Sequence, residues 1–303
     1  MNKTCIIIAG PTAVGKTAIA IALAKHFSTE IISADSRQCF KELNIAVAKP
    51  ALSDLQQVHH YFINSHSVRD DISAADFEKI ALAAVDKIFL KNEFAIMVGG
   101  TGLYIKAFCE GMDEIPAIDP VIRASVISDY NNNGIGWLRS EIEKKDPDYF
   151  TTGEMENPQR MMRALEVKLS TGRSIRSFQS KEKKQRNFNI ITIGLELPRE
   201  ILYQRINARV DSMMEMGLLE EAKALLPYKQ LNALQTVGYR ELFDHFEGKI
   251  TVERAIELIK QNTRHYAKRQ MTWFKKDDLV NWLSPDTNIV LEYLDKRFEN
   301  LKI

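Results

Sequence analysis

Residues 10–17, Gly10-Pro-Thr-Ala-Val-Gly-Lys16-Thr17, have the types and spacing of a phosphate-binding loop, G-x-x-x-x-G-K-[ST]. In such a loop Gly10 and Gly15 free the backbone around Pro11, Thr12, Ala13 and Val14 to turn N–H groups onto phosphate oxygens. Lys16 supplies a point charge, the amino end of the next helix adds its positive pole, and Thr17 offers a hydroxyl to Mg²⁺. Alone, the loop reads as nucleotide-binding or ATP-binding, and a kinase or an RNA-stimulated ATPase would also carry it. An acidic partner for the metal is usual. The nearest candidate is Asp35 in Asp35-Ser-Arg-Gln-Cys-Phe40, although an aspartate in a loop also serves as an ordinary turn residue. Gly99-Gly-Thr-Gly102 is a third loop of interest. Glycine pairs commonly just end strands, but Thr101 can hydrogen-bond a ligand.

Something must bring these loops together. Residues 4–9 form a compact isoleucine-rich run ahead of the glycine loop, and a helical pattern follows over 17–27. Residues 30–33 and 94–98 read as further short strands, each ending at one of the other two loops. Ser73-Ala-Ala-Asp76 has the form of a capping box opening a helix that runs to about residue 90. Alternating buried-type strands and amphipathic helices predict an α/β fold, a parallel sheet flanked by helices on both faces. Ligands of such sheets lie beyond the carboxyl ends of the strands, where all three loops fall.

From about residue 114 to 187 the chain turns polar and helix-rich, with a turn expected over 131–136 and a charged run over 181–186. This predicts an inserted helical subdomain, leaving residues 1–113 and 188–303 as the core. A strand pattern returns over 190–197, Pro198 is expected in the first turn of a helix, and a long helix is expected over about 252–275. Lysine and arginine total 41 against 40 aspartate and glutamate, a net charge of +1, so any nucleic-acid surface must be a local patch. Lys260, Arg264 and Lys268 recur every four positions and form one helical stripe, either a solvated face or an RNA backbone contact. Lys181, Lys183, Lys184 and Arg186 are a second RNA contact or a mobile charged loop. Cys5, Cys39 and Cys109 have no metal-ligand spacing and read as reduced cytoplasmic thiols; the short run at residues 5–9 spans no membrane.

Taken together, the glycine loop, Asp35-Ser-Arg-Gln38, His59-His60, Ser73-Ala-Ala-Asp-Phe77, Gly99-Gly-Thr-Gly-Leu-Tyr104, Asn157-Pro-Gln-Arg160, Val237-Gly-Tyr-Arg240 and Ala267-Lys-Arg-Gln-Met-Thr-Trp-Phe274 extend over nearly the whole chain. The set resembles the tRNA dimethylallyltransferases, or tRNA isopentenyltransferases. The resemblance implies a P-loop NTPase-like core that moves a prenyl group from dimethylallyl diphosphate to N6 of the adenine 3′ to a tRNA anticodon. It implies Mg²⁺ as cofactor and the anticodon stem-loop as partner, and we expect a monomer. Residues 10–17 would cradle diphosphate rather than a nucleoside triphosphate, with Thr12 near the donor. Asp35 matches the general base and Thr101 a hydrogen-bonding group at the reacting centre. Of Arg205 and Arg209, four apart on one helix face, the resemblance favours Arg209 as the diphosphate contact. The adenine must leave its stack. Ser36, Arg37 and Gln38 are implied at the adenine, with Arg123, Gln159, Arg160, Met161, Met162 and Arg163 on the RNA. Two departures bear on pocket shape: Val14 stands where small residues are common, and Cys39-Phe40 replaces valine and tyrosine.

Overall fold

The computed structural model describes residues 3–180 and 182–301. In chain order its strands and helices are β1 (Thr4–Ala9), α1 (Lys16–His26), β2 (Ile31–Ser33), α2 (Leu52–Gln57), β3 (His60–Tyr61), α3 (Ala74–Phe89), β4 (Phe94–Gly99) and α4 (Gly102–Glu110). Then follow α5 (Pro120–Lys145), α6 (Pro147–Thr152) and α7 (Pro158–Thr171). The chain continues with β5 (Asn189–Leu195), α8 (Arg199–Glu215), α9 (Leu218–Leu225), α10 (Tyr239–Phe246), α11 (Val252–Phe274), β6 (Val280–Leu283) and α12 (Thr287–Leu301). It divides into two compact units, residues 1–111 with 185–303, and residues 112–184.

The first unit is built on a six-stranded sheet in the order β3-β2-β4-β1-β5-β6, with every pairing parallel. All six residues of β1 are buried, which is why this strand reads as continuous apolar sequence and not as an alternation. Ile6, Ile8, Ile96, Val98, Ile191 and Ile193 point to one face, where Ile19 and Leu23 of α1 and Val290 and Leu294 of α12 cover them. On the other side α3 lies against β2 and β4. Its expected start is present: Ser73 Oγ accepts from Asp76 N (3.2 Å) and Asp76 Oδ2 accepts from Ser73 N (3.0 Å). Ala9 is level with Gly99 and Gly194, and Ser33 with Val98, so three strands release their loops at one edge.

Some expectations need correction. Pro198 is the cap preceding α8 and not a residue of its first turn. The turn expected over residues 131–136 is confined to Gly134, whose φ of 72° kinks α5 while its neighbours stay helical. The edge strands β3 and β6 were not foreseen. The second unit has its own core, including Val126, Leu138, Ile142, Tyr149 and Leu165. Among the described residues no helix is long and apolar enough to cross a membrane.

Candidate active site

The glycine loop needs its glycines for two reasons. Gly10 has φ +140°, and a Cβ there would lie 2.7 Å from the Leu195 carbonyl oxygen of the adjacent strand. Gly15 has φ +110° and forms the cap of α1. Between them Val14 is fully buried in the core beneath the loop. Its bulk therefore fills the interior and leaves the loop's outer face open. Lys16 Nζ donates to Pro11 O at 2.7 Å, which folds the side chain back over the loop.

The second and third loops are tied to one another. Asp35 Oδ1 accepts from the backbone N–H of Arg37 (2.9 Å) and Gln38 (3.2 Å). Oδ2 has no hydrogen-bond partner among the described residues. Thr101 Oγ1 accepts from Ser36 N (3.0 Å), and Thr101 N donates to Ala34 O (3.2 Å). That approach depends on Gly99, because a Cβ there would overlap the Ala34 backbone. The glycine loop joins the same assembly through α11. Gln270 Oε1 accepts from Thr12 N (2.8 Å), while its Nε2 donates to Gly100 O (3.0 Å). One buried amide thus bridges two loops, each side satisfying a backbone group that would otherwise be unpaired.

The three loops surround a cavity of about 430 Å³. Thr12, Ala13, Gly15, Lys16, Thr17, Asp35, Arg37, Gln38 and Arg209 line it. Ser36 and Thr101 do not line it and are bonded to each other. Of the paired arginines, Arg209 lines the cavity and reaches Thr12 Oγ1 at 3.4 Å, whereas Arg205 Nη1 lies 3.4 Å from the Val14 carbonyl. Burial lowers the Lys16 ammonium to about 8; nearby Asp35 opposes that shift and Arg209 adds to it. Cys39 is buried and its thiol is pushed up to about 12, chiefly by burial, so it is no nucleophile. Among the described residues no cluster of three or more His, Cys, Asp or Glu could hold a metal. Thr17 on the cavity wall fits a magnesium ion that takes its other ligands from phosphate oxygens and water, the usual arrangement for this cation.

Gln270, Tyr266 and Thr263 also line the cavity and were not singled out beforehand. The signal was available: with Ile259 they recur at intervals of four, three and four, one face of α11. The basic stripe lies one residue over. Lys260 pairs with Asp211 on α8 (2.5 Å) and Arg264 donates to Asn207 (2.7 Å), so both are engaged within the protein, while Lys268 is exposed. Lys181 lies outside the described residues. Arg186 is nearly buried, paired with Glu78 at 2.9 Å and donating to Phe108 O at 2.7 Å, and so is a structural anchor and not an RNA contact. In the helical unit, Asn157 and Pro158 start α7, and the Asn157 side chain accepts from Gln159 N and Arg160 N. Gln159, Arg160 and Arg123 are exposed, Arg160 in an open ion pair with Glu154 whose two side chains both remain half exposed; Arg163 pairs with Glu166 at 3.6 Å. Met161 and Met162, expected on RNA, are instead buried in the core of this unit, because they occupy the inward face of α7.

Residues 38–277 match the family model described as IPP transferase. The tRNA dimethylallyltransferases of Christiangramia forsetii and Flavobacterium johnsoniae are each 48% identical to this chain, over 98% and 99% of it respectively and 99% of their own lengths. Among solved structures, the full-length tRNA isopentenylpyrophosphate transferase of Bacillus halodurans aligns with a TM-score of 0.71 at 33% identity, covering 98% of this chain and 96% of that one. A eukaryotic dimethylallyltransferase acting on tRNA aligns with a TM-score of 0.77 at 28% identity, covering 93% and 74%.

Proposed function

This chain belongs to the IPP transferase family, and from that premise we propose that it transfers the dimethylallyl group of dimethylallyl diphosphate to N6 of the adenine 3′ to the anticodon, position 37, of tRNA. The products are N6-isopentenyladenosine in the RNA and diphosphate. The observation that carries the reading is a single cavity lined both by the phosphate-binding loop and by Asp35.

An exocyclic amine conjugated to a purine is a weak nucleophile, so the reaction needs both a good leaving group and a base. As the N6–C1 bond forms, the C1–O bond breaks and its electron pair leaves with the diphosphate. Residues 10–17 receive that charge through backbone N–H groups and Lys16, with Arg209 beside Thr12 of the loop. Mg²⁺, when bound through Thr17 and the diphosphate, supplies further neutralisation of the leaving group. Asp35, held through Oδ1, keeps Oδ2 free to take the N6 proton. Arg123, Gln159, Arg160 and Lys268 are exposed cations or donors suited to the RNA. Cysteines that form no disulfide among the described residues support a cytoplasmic setting, and we take the enzyme to act as a monomer.

Purified protein, Mg²⁺, labelled dimethylallyl diphosphate and unmodified tRNA are expected to give labelled RNA. Equal labelling of a tRNA carrying guanine in place of the target adenine would overturn the acceptor assignment. ATP-dependent phosphate transfer without any prenyl donor would overturn the reaction class.

Lys16 gives this reading a pH signature. Below about 8 its amine is charged and ready for diphosphate; above that it is mostly neutral in the free protein, and donor binding must take up a proton. The dissociation constant for dimethylallyl diphosphate should therefore rise about tenfold per pH unit above that point. Calorimetry in buffers of differing ionisation enthalpy should detect the proton taken up. A flat affinity from pH 7 to 10 with no uptake would remove the coupling.

A further inference from the structure

Glu221 of α9 makes an unusual set of contacts for a carboxylate so far from the reacting groups in sequence. It accepts the backbone N–H of three consecutive residues, Asn44 (3.1 Å), Ile45 (2.9 Å) and Ala46 (3.1 Å), and the Tyr239 hydroxyl at 2.7 Å. Tyr239 is fully buried at the start of α10. Successive N–H groups converging on one anion form a strong, directional anchor. The same loop is held from two other sides. Gly238, at φ +103°, lets the chain pass so close that a Cβ would lie 3.1 Å from Ala46 Cβ. Lys49 Nζ donates to Phe40 O (2.8 Å) and Asn44 Oδ1 (3.1 Å).

The loop's next two carbonyls meet a cavity residue. Gln38 Nε2 donates to Val47 O (3.2 Å) and Ala48 O (3.1 Å). Carbonyl oxygens only accept, so both amide hydrogens must face the loop, and the amide cannot flip without setting its oxygen against two others. Gln38 Oε1 accepts from the Ser33 hydroxyl at 3.4 Å, which leaves its second lone pair for a donor in the cavity that both residues line. An acceptor in that orientation suits an amino group and repels a keto oxygen.

We propose that Glu221, backed by Tyr239, is a positioning residue for acceptor recognition. It fixes residues 44–48, which lock the polarity of the Gln38 amide so that Oε1 accepts a hydrogen from the exocyclic amine of the incoming base. The inference rests on the transfer reaction proposed above and extends it: Asp35 takes one N6 hydrogen while Gln38 holds the other. Glu221 touches no substrate and acts only through the loop.

The test is a double-mutant cycle on the full chain, with tRNA turnover and donor binding measured separately. Glu221→Gln keeps the shape but turns an NH₂ toward backbone donors. It should lower kcat/KM for tRNA by about 10- to 100-fold while leaving the affinity for dimethylallyl diphosphate unchanged. In a Gln38→Ala background the same change should cost less than about threefold, because the group it acts through is gone. Tyr239→Phe, which deletes one hydroxyl, should show the same pattern at smaller amplitude and serves if Glu221→Gln folds poorly. Full additivity with Gln38→Ala, a parallel loss of donor binding, or wild-type turnover in both variants would overturn the proposal. Failure of the wild-type protein to prenylate tRNA would instead strike at the reaction it rests on.

Discussion

Asp35→Asn is expected to lower prenyl transfer to tRNA by about 10² to 10⁴-fold while dimethylallyl diphosphate binds with nearly unchanged affinity. The substitution is close to isosteric. An asparagine carbonyl can still accept from Arg37 N and Gln38 N as Oδ1 does now, so the loop should keep its course. What changes is the other branch, where an NH₂ replaces the free oxygen and can accept no proton. Because the donor contacts proposed above are to the glycine loop and Arg209, the loss should appear in turnover and not in donor affinity. Single-turnover assays with preformed donor complex measure that split directly. An Asp35→Asn enzyme retaining most of its turnover would remove Asp35 from the base role. Loss confined to donor affinity would instead assign its charge to the metal and diphosphate.

Gly99→Ala is expected to be the most damaging single methyl in the sheet. Its Cβ would overlap the carbonyl and Cβ of Ala34, which are backbone and the first side-chain atom of a neighbouring strand end, with no rotamer to give way. Relief requires the ends of β2 and β4 to separate. That breaks the Thr101 N–H bond to Ala34 O and carries Thr101 away from Ser36. Overpacking of this kind costs about 3 kcal/mol, and the melting temperature should fall by roughly 5–10 °C. The neighbouring Gly100→Ala strikes a side chain first: its Cβ would lie 2.1 Å from Gln270 Nε2, so the amide must move and give up its bridge between Thr12 N and Gly100 O. That loss should cost about 2 kcal/mol. Thermal unfolding of the two variants tests both expectations. The account fails if Gly99→Ala melts with the wild type.

The two predictions draw on different kinds of information. That Asp35 shares a cavity with the glycine loop was legible in the chain, because the glycine loop, the acidic loop and the glycine turn each end a short buried-type strand. A parallel sheet has no way to place such loops except along one edge. The isoleucine run of β1, the capping box at Ser73 and the insertion of a polar helical segment were legible for the same reason. Each is a local pattern of residue types whose physical cause acts within a few positions.

Other features depended on distant residues meeting. The two-residue β3 and the mixed Val280-Asn-Trp-Leu283 of β6 exist as strands only because a neighbouring edge accepts their backbone hydrogen bonds. Helical spacing marked Lys260, Arg264 and Lys268 as a stripe. Whether a stripe faces solvent or a neighbour depends on α8, and Asp211 and Asn207 turned two of its members inward. The resemblance implied Met161 and Met162 on the RNA, but the small core of the helical unit took them.

By itself, then, the sequence determined the glycine loop before α1, the strand-end placement of Asp35 and Thr101, and the family to which the chain belongs. Local spacing and residue chemistry suffice for these. Tertiary structure decided which arginine lines the cavity, that Gln270 joins two loops, and that Glu221 holds the loop whose carbonyls receive the Gln38 amide. Those contacts span from 170 to 258 residues where Gln270 bridges the loops and from 175 to 177 where Glu221 holds its backbone donors, and no periodicity reaches that far.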